Sequence, residues 1–247
     1  MCPVYKEKDF IGDDMRLGIM QPYFFPYIGY WQLIESVDKY VVYDDVNYIK
    51  GGWINRNQIL FNGKKQYFGI RLCHASPNKL INEINILDDP IYRYKMIRSL
   101  ENAYKNAPVF NRCMSVLESI LLSKETNLAM FLYNQIKVIC EYLHIDTSII
   151  LSSQIKKDNH LRGQDKVIHI CKIIGADKYY NAIGGKNLYQ KEVFDKNNIQ
   201  LYFLKTHSIK YKQYKQKSFI DNLSIIDIMM NLEVNEIEQL MKGYDLE

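Results

Sequence analysis

The sequence predicts an α/β fold with a mostly parallel sheet built from βαβ units, and three observations carry that expectation. "RLGIM", "YIGYWQLIESVD" and "KYVVYDDV" give strand, helix and strand in quick succession, which in about 30 residues makes a parallel pair joined by a right-handed crossover. "QDKVIHICKIIGADKYYNAIGG" repeats the helix-then-strand order later in the chain. Between them, from about Asp89 to Leu143, apolar residues recur at three-and-four spacing, the mark of amphipathic helices.

Residues 1–14 read as an N-terminal extension, because the acidic pair Asp13–Asp14 precedes a fresh apolar start at Met15. Residues 15–247 read as a single α/β domain with a helical insertion at about 90–143. After the first strand, Pro22 and Pro26 bar a regular helix before Tyr27, since proline lacks the N–H and its ring clashes with the preceding turn. The helix then runs to just before Lys39, and a second buried strand leads to Asp44 and Asp45. The stretch Ile49–Leu72 reads as a hairpin with turns at Gly51–Gly52 and Asn62–Gly63. The helical region breaks at Ala107–Pro108, giving two or three helices. "TSIILSSQI" is a further strand candidate. Gly184–Gly185 closes the second unit, either as a simple turn or as a place where backbone amides meet a phosphate ahead of a helix; the spacing matches no phosphate-loop fingerprint. "NIQLYFLKTHSIKYKQY" reads as a last strand with a basic aromatic loop, and "SIIDIMMNLEVNEIEQLM" as one closing helix capped by Ser224.

Composition narrows the class. A chain of 247 residues, 47% hydrophobic and 24% charged, can bury a large core. No window approaches the roughly 18 apolar residues of a membrane span, and the first residues lack a signal-peptide core, so the protein reads as cytoplasmic. The five cysteines (Cys2, Cys73, Cys113, Cys140, Cys171) are odd in number, scattered and never in a C-x-x-C pair. Most of them read as buried small apolar residues, and the set argues against a disulfide framework or a zinc site. A net charge of +4 with basic residues spread along the chain predicts no more than weak attraction to phosphates or nucleic acid.

Chemistry concentrates where such a sheet puts its ligands, beyond the carboxyl ends of the strands. "QPYFFPYIGY" follows the first strand and crowds rings into a turn. Either Tyr23, Phe24 and Tyr27 wall a pocket and stack on a base or pyranose, or Phe24 and Phe25 seal the end of the sheet. The loop after the second strand brings Asp44, Asp45, Lys50, Asn55, Arg56 and Asn57 around Trp53, in one expected cleft with Gln21 and Tyr23. Among the histidines, His169 and His144 read as structural, and His74 and His160 lack a visible partner. His207 follows a late strand and is expected in the same cleft as the general base, because its unperturbed pKa of about 6.5 suits proton transfer near neutral pH. No H-x-x-x-H, H-E-x-x-H, G-x-S-x-G or Walker pattern occurs, so no metal site is expected.

"MQPYFFPYIGYWQLIESVDKYVVYDDVNYIKGGWINRNQI", "DKVIHICKIIGADKYYNAIGGKNLY" and "FLKTHSIKYKQY…LSIIDIMMN" together resemble the WbqC-like protein family of bacterial surface-polysaccharide gene clusters, from about Met15 to Asn231. The resemblance implies an enzyme of O-antigen or other lipopolysaccharide biosynthesis that places an amino acid such as glycine on the amine of a nucleotide-linked amino sugar. Gln21, Pro22, Asp44, Asp45, Asn55, Arg56, Asn57 and His207 stand at the family's recurrent motifs. A looser likeness, at the level of fold, links the "P-x-x-GY" turn and the "D-x-x-VV" strand to the nucleotidyl-transferase-like sheet of pantothenate synthetase, which adenylates a carboxylate and passes it to an amine. That enzyme family has histidines in the turn where Tyr27 and Tyr30 flank Gly29 here. The activated donor therefore stays open between aminoacyl-tRNA, an ATP-derived acyl-adenylate and a thioester, and charged tRNA is a partner if it is the donor.

An amide-forming transferase must free the amine of its proton, hold the diphosphate and stabilise an oxyanion. His207, Asp44 or Asp45 would take the proton. Lys50 and Arg56 would hold phosphate, arginine bidentately, and Asn55 or Asn57 would donate to the oxyanion or to sugar hydroxyls. Two other classes remain: a non-catalytic glycan-pathway binding protein, which needs the rings without the acid–base set, and a nucleic-acid-binding protein using the strip from Ile209 to Lys217.

Overall fold

Short runs rich in Val, Ile, Leu and Tyr become strands because their side chains pack well on a pleated, buried surface. The computed structural model describes residues 14–214, 216 and 218–247; the extension expected at residues 1–14 lies, except for Asp14, outside the described residues. In chain order, β1 (Arg16–Met20) leads through α1 (Ile28–Glu35) to β2 (Lys39–Val42). A hairpin of β3 (Arg56–Phe61) and β4 (Lys64–Gly69) follows, then a short pair of β5 (Leu72–Cys73) and β6 (Asn85–Ile86). Helices α2 (Pro90–Tyr104), α3 (Phe110–Leu121) and α4 (Leu128–Tyr142) precede β7 (Ser148–Leu151). The chain continues through α5 (Gly163–Ile174), β8 (Lys178–Ala182), α6 (Lys191–Asp195), β9 (Gln200–Thr206), α7 (Ile225–Asn231), α8 (Val234–Met241) and β10 (Tyr244–Leu246).

The main sheet has the order β10-β9-β8-β1-β2-β7, parallel except for β10 against β9. Its register places Gly18 opposite Tyr40 and Met20 opposite Val42. Successive side chains alternate between two cores. Tyr40 and Val42 face the larger core, with Trp31, Phe131 and the interiors of α2, α3, α4, α7 and α8. Leu17, Ile19 and Val41 face a smaller one beneath α5 and α6, with Ile170 and Phe194. Cys113, Cys140 and Cys171 are buried within these cores, and burial pushes the Cys140 and Cys171 thiols up to about 12; Cys2 lies outside the described residues.

Two elements differ from the sequence reading. The last strand is β10 rather than β9, and the closing helix is two helices. Leu232 is extended at φ −125°, and Glu233 starts α8 with a capping box to Glu236; reciprocal capping satisfies backbone donors at a new helix start, so a break is favoured there over a continuous turn.

The crowded turn after β1 is mostly core. Phe24 and Phe25 are fully buried, so Phe24 does not wall a pocket but stacks on Phe131 and meets Phe68. Phe25 adopts a left-handed backbone, φ +42°, which costs about 1–2 kcal/mol for a residue with a Cβ. Burial of its ring contributes a similar or larger amount, and three buried side chains fix the peptide. Gln135 Oε1 accepts the Phe25 N–H at 3.2 Å, while Asn57 Nδ2 and the Ser224 hydroxyl donate to its carbonyl at 2.9 and 2.7 Å. Sequence position says nothing of this clamp, because its members come from α4, β3 and the cap of α7.

Candidate active site

Chain direction makes the carboxyl edge of the sheet the place to look. From β1 the chain steps to β2 and β7 on one side, and β8 and β9 lie on the other, so the order reverses at β1 and leaves a crevice beyond the strand ends. Here α1 begins after its N-cap Tyr27, and β9 ends at Thr206 with His207 next in the chain. A pocket of about 490 Å³ opens between them, bounded by Tyr27, Ile28, residues 206–211, residues 219–223 and Ile228. Tyr27, Tyr211 and Phe219 give it rings; His207, Ser208, Lys210, Asp221 and Asn222 give it polar groups.

The approach of α1 to β9 depends on Gly29. A Cβ there would stand 2.5 Å from the Thr206 hydroxyl and 2.5 Å from the Tyr27 ring. Thr206 donates to Gln32 Oε1 at 2.7 Å, and Gln32 in turn donates to the carbonyls of Leu240 and Gly243. This part-buried chain of bonds ties α1, β9 and the residue before β10 together. Burial raises the Tyr27 phenol, with the Thr206 hydroxyl opposing.

His207 is half exposed, with 51% of its side chain accessible, and its Nε2 lies 3.0 Å from Asp245 Oδ1. Its backbone N–H donates to the Gly243 carbonyl at 3.0 Å. Asp245 is itself 69% exposed; a proton placed on Nε2, toward this carboxylate, would leave the lone pair on Nδ1. Nδ1 is 3.8 Å from where a Cβ of Gly243 would stand. Asp245 was invisible to the sequence reading because a three-residue strand has no periodicity to detect.

Asp44 and Asp45 are not among the walls of this pocket. Asp44 is buried, accepts the Ser153 N–H at 2.9 Å and faces the Asn82 amide at 3.4 Å. Asp45 Oδ2 lies 2.8 Å from Lys157 Nζ and 3.2 Å from Lys166 Nζ, two lysines whose side chains are 1% and 5% exposed. Burial pushes the Asp45 carboxyl up, but Lys157, Ser152 and Lys166 together outweigh it and hold it below the ordinary value. Lys166 also sits 5.2 Å over the Tyr43 ring. Both aspartates thus join the loops after β2 and β7 and the first turn of α5.

The remaining candidates divide by what their side chains already do. The Asn57 amide donates to the carbonyls of Phe24 and Phe25, and Asn55 accepts from Tyr48 and donates to the Ile70 carbonyl. Arg56 donates to the Gly51 carbonyl at 2.5 Å and lies 4.5 Å over the Tyr67 ring, while its Nε is buried with no hydrogen-bond partner among the described residues. Lys50 is exposed on the same loop. Tyr23 packs on Tyr30, whose hydroxyl donates to the Gln21 carbonyl, and burial raises the Tyr23 phenol. Of the sequence candidates, Tyr27 and His207 therefore share the pocket. Gly184 and Gly185 lie in a 3₁₀ segment, Ile183–Leu188, directly after β8.

The loop from 208 to 223 hangs on Asp227. This fully buried carboxylate accepts the Tyr211 hydroxyl at 2.6 Å, the Tyr104 hydroxyl at 2.9 Å and the Gln213 amide at 3.0 Å. Burial raises it despite those three bonds. Tyr211 and Gln213 point inward for this reason, while Lys210, Lys212 and Tyr214 of the strip from Ile209 to Lys217 are exposed; Lys215 and Lys217 lie outside the described residues. Among the described residues, no group of three His, Cys, Asp or Glu stands ready for a metal, and no helix is long and apolar enough to cross a membrane.

Comparison with known proteins agrees with the motifs. The uncharacterised protein Rv1507c of Mycobacterium tuberculosis (strain ATCC 25618 / H37Rv) is 26% identical over 221 residues, covering 88% of this chain and 94% of its own. No solved structure matches the chain. The family description "WbqC-like protein family" matches residues 21–239, a range that takes in the clamped turn, the loop after β2 and the His207 pocket. The chain belongs to the WbqC-like protein family.

Proposed function

We propose that the protein is an amide-forming transferase that moves an aminoacyl group, of the glycine kind, onto the amine of a nucleotide-linked amino sugar for surface-polysaccharide synthesis. The observation that carries this reading is the pocket between α1 and β9, where three rings and a ring of short polar side chains surround a histidine backed by a carboxylate. Aromatic faces with amide, hydroxyl and carboxylate groups suit a saccharide, which offers apolar C–H faces and a rim of hydroxyls. In this reading Tyr27 stacks on the sugar, and Asn222 and Ser208 bond its oxygens. His207 Nδ1 takes a proton from the sugar ammonium, and Asp245 stabilises the resulting imidazolium. The freed amine attacks the activated carbonyl and a C–N bond forms; the bond to the donor's leaving atom breaks, the proton on His207 passes to that atom, and the imidazole so freed takes the remaining surplus proton from the new amide nitrogen and releases it to water. Asp44, Asp45, Asn55 and Asn57 act by shaping the loops at the sheet edge.

Incubation of the purified protein with a nucleotide-linked amino sugar and glycine, with ATP or with glycyl-tRNA, and mass spectrometry of the sugar, tests the reading. A gain of one glycyl residue on the amine is the expected result. An unchanged sugar in every combination, across several amino sugars, would overturn it.

A further inference from the structure

The even spread of basic residues along the sequence hides an asymmetry. From Val46 to Asn82 there are six basic residues (Lys50, Arg56, Lys64, Lys65, Arg71, Lys79) and no acidic one, so the rest of the chain carries slightly more acid than base. The whole positive excess of the protein therefore sits on the loop after β2, the β3–β4 hairpin and the segment behind it. Rings stand out on the same element. Trp53 is 44% exposed and Tyr67 is 55% exposed, whereas most of the protein's large apolar side chains are in its core; Tyr27, Tyr94 and Tyr214 are the other exposed tyrosines among the described residues. The Arg56 guanidinium carbon lies 4.5 Å from the centre of the Tyr67 ring, and its Nε is buried with no hydrogen-bond partner among the described residues. Lys50 and Lys64 are exposed and no carboxylate pairs with them among the described residues.

We infer that this hairpin face is a docking surface for single-stranded RNA, and that it receives the unpaired acceptor end of an aminoacyl-tRNA. Alternating cations and exposed rings are what a single strand requires: ammonium and guanidinium groups neutralise phosphates, and flat side chains stack on unpaired bases whatever their identity. The surface is continuous with the proposed active site. Lys65 Nζ pairs with Asp221 Oδ1 at 3.1 Å, and Asp221 is a wall of the pocket. The far strand of the same hairpin bonds the clamped turn through Asn57, and Gln58 accepts the Ser224 N–H. An acceptor end laid along β3–β4 thus leads its terminal ester toward His207. The inference rests on the transferase reading and selects its donor among an ester, an adenylate and a thioester.

Fluorescence anisotropy with a labelled, uncharged tRNA minihelix ending in an unpaired acceptor strand tests binding apart from catalysis. The full-length protein should bind it with a steep salt dependence, each lost phosphate contact lowering the slope of log K against log[salt] by about 0.7. Lys50→Glu with Lys64→Glu should weaken binding at least about tenfold, and Trp53→Ala or Tyr67→Ala about fivefold or more. Lys172→Glu, exposed on α5, should leave binding unchanged, and unchanged circular dichroism of all variants keeps the comparison sound. Parent protein that fails to bind the minihelix at low salt, variants that bind as well as the parent, or equal competition by duplex DNA or by anionic lipid vesicles would each overturn the inference. Transfer of glycine from ATP and free amino acid after ribonuclease treatment would overturn it while upholding the transferase. Specific minihelix binding with no sugar product would uphold it and remove the transferase reading.

Discussion

Replacing Asp45 by alanine separates a scaffold aspartate from a catalytic one. Its carboxylate is the shared partner of Lys157 and Lys166, at 2.8 and 3.2 Å, and both lysine side chains are at most 5% exposed. Asp45→Ala strands two buried ammonium groups, each left with a carbonyl: Ser152 for Lys157 and Asp45 for Lys166. Removing one partner of a buried ion pair costs about 3–5 kcal/mol, a large part of the roughly 5–15 kcal/mol that holds a domain together. Urea titration followed by circular dichroism should therefore show a midpoint far below the parent's. Adding Lys157→Met to Asp45→Ala removes one stranded cation and should restore more than about 1 kcal/mol. The pH dependence has a fixed sign. The folded Asp45 carboxyl lies below its ordinary value, so its contribution is fully present above about pH 4 and fades as pH falls toward the folded value. The gap between parent and variant should narrow in that acid window. A loss below about 1 kcal/mol, or lost transfer activity at full stability, would refute the scaffold role and return Asp45 to the reaction.

The other expectations are shorter. His207→Ala should lower turnover by roughly a hundredfold or more, the scale of a lost general base, with nucleotide-sugar binding by calorimetry nearly unchanged; turnover within about threefold of the parent would exclude it as the base. Gly29→Ala forces a methyl to 2.5 Å from Thr206 and Tyr27. It should destabilise the protein by about 1–3 kcal/mol and displace the Tyr27 ring, which a melting curve at parent temperature would contradict. Ser224→Ala removes both the cap of α7 and the bond to the strained Phe25 carbonyl; the expected loss in urea titration is about 1–2 kcal/mol, and a change below about 0.3 kcal/mol would show that the turn does not need it.

Local pattern was enough for the elements that pattern governs. The β1–α1–β2 unit, the hairpin turn at Asn62–Gly63, a helical region broken near Ala107–Pro108 and the α5–β8 repeat all follow from apolar spacing and from where proline and glycine stand, because periodicity and backbone limits act within a few residues; the division of the later helical run into α3 and α4 does not. The same locality explains the misses. Three residues at Tyr244–Leu246 form a strand only because β9 presents an open edge, and the break between α7 and α8 depends on a cap at Glu233.

The sequence by itself determined the α/β class and the family, and it put the loops that carry the motifs after the strands of a mostly parallel sheet. Only the tertiary structure decided which of the motif residues share a pocket. Motif spacing placed Asn57, Asp44 and Asp45 beside His207 in one set, yet Asn57 spends its amide on Phe24 and Phe25, and Asp45 spends its charge on two lysines more than 100 residues away. A polar side chain taken out of water must be satisfied by whatever donor or acceptor the fold brings near. Which partner that is depends on segments far apart in the chain, so it is written in the packing of the whole molecule and not in any stretch of its sequence.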